Sequence, residues 1–186
     1  IRTGESILDS TPIFEGSFCA FRTSSVSEGI DESINADDTQ LALLSRRNNF
    51  RSVMDPRINF IEPNSNLIRE LKRSIRRSQG ISRCLIINRD LSRIEGYFGS
   101  FFSHSFYFYL IFPWLILFSA VLMIPSIFVQ LFSLTVTSQI FLIVSSLLLF
   151  VIIRPMRDFI IGLFSLIFSH LFILLRADLS VWRPIR

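Results

Sequence analysis

Hydrophobic positions in this chain collect toward its C-terminal end. From Gly96 to Ile153 there are fifty-eight consecutive residues without Lys, Arg, Asp or Glu. After the interruption Arg154, Pro155, Met156, Arg157 and Asp158, a second uncharged run of seventeen residues extends from Phe159 to Leu175. A helix needs about 20 residues to cross the hydrocarbon of a bilayer, so the first run is too long for one crossing and long enough for two. The polar group Gln130, Ser133, Thr135, Thr137, Ser138 and Gln139 is the natural place for the turn between them. The pattern predicts an all-α membrane protein with about three transmembrane helices, near 104–129, 137–153 and 159–175, inside a transmembrane region 96–176 that a short tail, 177–186, follows. Pro113 and Pro125 each remove a backbone donor, which predicts a kink in the first helix or an early stop at Ile124. An aromatic cluster that includes Tyr97, Phe98, Phe101, Phe102, Tyr107, Phe108 and Tyr109 suits the entry into the headgroup region.

The N-terminal part shows a different pattern. Over 1–62 isolated apolar residues are scattered among Ser, Thr, Gly, Asp and Glu with neither a period of two nor one of 3.6, which predicts an extended or disordered arm that orders on a partner. Ile13 with Phe14, and Phe18 to Phe21, would be its anchor points. The region 63–95 holds the clearest soluble element. Behind Pro63, Asn64 or Ser65 can cap a helix from about Asn66 to Ser78 that Gly80 can end. Leu67, Ile68, Leu71 and Ile75 fall on one side of it, and Arg69, Lys72, Arg73, Arg76 and Arg77 on the other. This basic amphipathic helix is read as lying on anionic lipid headgroups or in a partner's groove; packing of the apolar stripe on the protein's own soluble part is the alternative. The group from Cys84 to Ile87 fits a short strand or a turn of helix equally well.

Charge sharpens this division. The acidic first part, 1–38, carries a net −6; the stretch 39–95 carries +7 and the remainder +3, which sum to the overall +4. Eighteen of the nineteen cationic residues are Arg, the side chain that grips phosphate or carboxylate in a bidentate fork. A basic stretch ending at a membrane segment points to anionic lipids rather than to nucleic acid. The positive-inside rule then puts the N-terminal arm on the cytoplasmic, matrix or stromal side.

Candidate chemistry is sparse. Cys19 and Cys84 lie in different zones and define neither a disulfide framework nor a zinc site. Phosphate-binding glycine loops, HExxH, GxSxG and paired acids on one helical face are not found. Ionisable residues other than histidine are missing from the spans, which speaks against a proton or cation carrier acting alone. His104 and His170 could ligate haem or bond a quinone, but their depths do not match, and an interhelical hydrogen bond is the better use of His170. Gly162, Ser165 and Ser169, flanked by His170, form a small-residue face suited to helix packing, with Phe164, Phe168 and Phe172 as a ridge beside it.

These features predict a non-catalytic accessory subunit of a larger membrane complex, with no catalytic, cofactor-binding or metal-ligating residue and no cofactor. Its partners would be other membrane-protein subunits and anionic lipids. The Phe-, Ser-, Leu- and Arg-rich, Lys-poor composition points to an organelle, with the mitochondrial inner membrane and a respiratory or ATP synthase complex as the expected setting. A membrane-shaping hairpin, a transport or translocation component and a haem- or quinone-binding anchor are the competing readings.

Overall fold

The computed structural model describes residues 1–14, 18–27, 29–58, 67–133, 135–141, 144–145 and 154–176. The cap expected at Asn64 or Ser65, most of the span expected at 137–153 and the tail 177–186 lie outside them. Among the described residues every regular element is helical. Six helices are named here: α1 (Arg2–Leu8), α2 (Asp37–Arg47), α3 (Leu67–Ile87), α4 (Tyr97–Phe106), α5 (Phe112–Ser133) and α6 (Arg154–Leu174).

The N-terminal part is not an extended arm. Its scattered apolar residues Ile13, Ile34, Ala36 and Leu43 converge on Ile81, Cys84 and Leu85 of α3, on Leu91, and on Phe98 and Phe102 of α4, forming one buried core. No period appears in this sequence because loops deliver most of these residues, each held by hydrogen bonds rather than by a repeating face. Buried Gln40 in α2 donates to the carbonyls of Asp31 and Ile34, both at 2.9 Å, and accepts from the Asp31 N–H at 2.7 Å, wrapping the 31–36 loop around itself. Arg51 donates to the carbonyls of Ser6 (2.8 Å) and Asp9 (2.6 Å), groups that the end of α1 leaves without helical partners. Asp9 accepts the Phe98 N–H at 3.3 Å, satisfying a first-turn donor of α4, and pairs with Arg46 at 3.4 Å. The Arg46 guanidinium also lies 5.2 Å from the centre of the Phe98 ring.

In α2, Asp37 and Asp38 occupy the first turn and Arg46 and Arg47 the last, the order that complements a helix dipole. Asn49, at φ 62°, turns the chain away after it. The helix α3 runs past Gly80, where a stop was expected, and takes in the ambiguous Cys84 to Ile87 group. The glycine serves packing instead, since a Cβ there would collide with the Asn35 carbonyl. The α3 helix lies along α6, the principal helix pair of the molecule.

Three spans were expected, whereas among the described residues two helices are long and apolar enough to cross a membrane: Tyr97–Gln130 and Pro155–Leu174. The first is 34 residues long, so it starts earlier and ends later than its sequence pattern implied. Neither proline stops it. Pro125 is carried inside α5, and Pro113 follows a π-helical segment, Tyr107–Ile111, whose wider turn absorbs the missing donor.

A candidate ligand cavity

A cavity of about 560 Å³ opens between Phe14, the 18–25 segment, α2, the 50–58 segment and α3, a size typical of small-molecule sites. Phe14, Phe18, Phe21 and Phe50 give it aromatic walls, and Arg22, Arg51 and Arg77 bring guanidinium groups to it. Arg51 is committed to the carbonyls at the end of α1 and so stiffens the wall. Asp55 is bound in a two-point fork by Arg57, at 2.9 and 2.6 Å, and these hydrogen bonds hold its carboxyl down at about 2. Arg22 is exposed and Arg77 half-buried at this wall, and guanidinium is the group that grips phosphate oxygens.

Beside the cavity lies an acidic edge at the start of α2. Partial desolvation and then the Asp38 charge push up the thiol of Cys19, a cavity-lining residue. The fully buried Cys84 thiol is pushed up to about 12, by burial first and then by Asp38, Asp31 and Asp37. Asp38 lies about one helical turn before Leu41 and Ala42, which line the cavity. Asp38 accepts the Thr39 N–H at 2.7 Å, which fixes its carboxylate there. A carboxylate next to a guanidinium-bearing cavity can take a proton from a hydroxyl while the cations hold phosphate oxygens. Among the described residues no group of three or more His, Cys, Asp or Glu side chains could hold a metal ion.

The residues singled out from sequence scatter over the structure. Arg69 and Lys72 are exposed on α3, Arg73 and Arg76 are half-buried, and Arg77 turns from the expected polar face into the cavity. On α6, Ser165 and Ser169 are fully buried and His170 nearly so, but the hydroxyls bond the carbonyls of Ile161 and Leu166 in their own helix. Gly162 makes no close approach: a Cβ there meets open space. His104 is exposed and bonds the Ser100 carbonyl of its own helix, while His170 hydrogen-bonds Ser82 and Trp114. Sequence reasoning missed Cys19, Arg22 and the Asp37–Asp38 pair. The signal for the last was present, since two acids open the Leu41–Leu44 apolar run and Arg46 and Arg47 close it.

No family model and no curated protein matches the chain. Among solved structures it is similar to the mannosyltransferase PcManGT from Pyrobaculum calidifontis in complex with GDP-Man and Mn2+, with a TM-score of 0.76 and 20% identity. That likeness covers 95% of this chain and 50% of the other, so the chain spans about half the length of the enzyme it resembles. A fold shared over nearly the whole chain includes the N-terminal part, and this overturns the picture of a loose arm preceding three spans. The non-catalytic accessory subunit loses its basis as well, together with the mitochondrial respiratory or ATP synthase setting and the alternatives built on the same picture. At 20% identity what is shared is the fold, over about half of the other chain.

Proposed function

We propose that this chain acts in glycosyl transfer, with the 560 Å³ cavity taking a phosphate-bearing sugar donor or acceptor. The observation that carries the reading is the conjunction of guanidinium groups, aromatic walls and a rim carboxylate in a fold shared with a mannosyltransferase. Transfer of a sugar from a diphosphate needs a hydroxyl of the acceptor to attack the anomeric carbon as the diphosphate leaves. Arg22 and Arg77 would bind the phosphate oxygens in charge-assisted hydrogen bonds and stabilise the leaving charge. Asp38 would receive the acceptor proton. Asp55 is unsuited to that task because Arg57 holds its carboxyl at about 2 and occupies both oxygens.

The structurally similar mannosyltransferase is in complex with Mn2+. The described residues here do not fit such an ion, as no group of three or more potential ligands is formed.

The acceptor side of the reading concerns the bilayer. Only 6% of the apolar window in Tyr97–Gln130 and 22% of that in Pro155–Leu174 is buried within the molecule. A core helix of a water-soluble protein would be mostly covered. Lipid is the cover we propose, with α3 presenting Arg69, Lys72 and Arg73 to anionic headgroups.

Binding of GDP-mannose to the whole chain in lipid nanodiscs, measured by calorimetry with and without Mn2+, tests the proposal. Arg77→Gln is expected to weaken binding by about 10- to 100-fold, the equivalent of one lost charged hydrogen bond. Asp38→Asn should bind GDP-mannose within about twofold of the parent and lose transfer. Equal binding by the parent and Arg77→Gln would reject the cavity as the site.

A further inference from the structure

We infer that His170 is a positioning residue, tying α3 to the apolar helices so that Arg77 is held in the cavity. The inference rests on the reading of that cavity given above. Trp114 Nε1 lies 2.9 Å from His170 Nδ1, and the indole can only donate. Nδ1 must therefore be the acceptor, and the neutral ring carries its proton on Nε2. From there it reaches Ser82 Oγ in α3, 3.3 Å away.

One nearly buried ring thus hydrogen-bonds both α3 and α5 while itself belonging to α6.

The consequence for the cavity runs along α3. Gly80 presses on the Asn35 carbonyl from one side of this helix, and Ser82 meets His170 from the other. Arg77 lies one turn before them and lines the cavity. Rotation or sliding of α3 would carry the guanidinium away from its place, and the His170–Ser82 bond opposes both.

Hydrogen exchange of the α3 amides, read without ligand in nanodiscs, tests the clamp, and GDP-mannose affinity tests its effect on the cavity. His170→Phe keeps a ring and removes every hydrogen bond; it should speed exchange over 76–84 at least tenfold and raise the Kd for GDP-mannose about tenfold. Trp114→Phe, which removes only the indole donor, should move both readings in the same direction by a smaller factor. His170→Gln, whose amide can both donate and accept, should recover most of each. Unchanged α3 exchange in both His170→Phe and Trp114→Phe overturns the clamp. Faster exchange with unchanged affinity overturns the positioning role and leaves His170 purely structural. Arg77→Gln separates the two ideas: if it binds like the parent, the cavity reading fails, whatever the exchange data show about the clamp.

Discussion

Cys84 and Cys19 show how far one residue type can be separated by its surroundings. Cys84 is sealed in the core between α3 and the N-terminal loops, and its thiol is pushed up to about 12; Cys19 sits exposed at the cavity rim with a smaller rise. A maleimide reagent at pH 8 is expected to modify Cys19 in the native protein and Cys84 only after denaturation, as mass spectrometry of the alkylated peptides would reveal. The raised folded value also sets a sign. The unfolded thiol ionises near 9.0 and the folded one near 12, so the stabilisation is fully present below pH 9 and is lost as pH rises toward 12. Cys84→Ala should flatten that alkaline fall in the denaturation midpoint, and an identical slope in both proteins would contradict the burial argument.

Among the elements, α6 carries its packing on side chains rather than on its glycine. Ser165 and Ser169 are wholly covered where α6 lies along α3, whereas Gly162 points a prospective Cβ into open space. Ser165→Leu would force bulk into a filled interface at a cost of about 1–3 kcal/mol, while Gly162→Leu should change stability by less than about 1 kcal/mol. Thermal unfolding in detergent, with retention of GDP-mannose binding as a second reading, distinguishes them. Comparable losses for the two variants would place the α3–α6 contact elsewhere. The small-residue face was legible in the sequence as a face; which of its members meets α3 depended on where that helix crosses it.

For the whole molecule, the relevant contrast is between the apolar helix Tyr97–Gln130, almost uncovered over its most apolar window, and a compact N-terminal part fastened by side-chain-to-backbone hydrogen bonds. Under the proposal, both meet at a bilayer surface marked by the cationic residues of α3. Replacing Arg69, Lys72 and Arg73 with Gln should then lower the affinity of the chain, folded in nanodiscs, for added phosphatidylserine vesicles by about 100-fold. This follows from a contribution on the order of 1 kcal/mol per basic residue. Binding that is equally strong for the variant and insensitive to salt would exclude an electrostatic role for this face.

Charge-free runs and helical periodicity determined, by themselves, where apolar helices form and that α3 is amphipathic, because these properties reside in local composition and repeat within one element. They also exposed the cationic residues of α3, though not that Arg77 would enter a cavity. The fold of the described residues before α3 depended on tertiary structure alone. Ile13, Ile34 and Leu43 look isolated along the chain, and only α3 and α4, supplied from beyond residue 66, complete the core that buries them. The proximity of Asp38 to Cys19, the turn of Arg77 inward and the meeting of Ser82, Trp114 and His170 are likewise contacts between distant segments. No local pattern encodes them, because each depends on the relative placement of helices that loops of irregular sequence set.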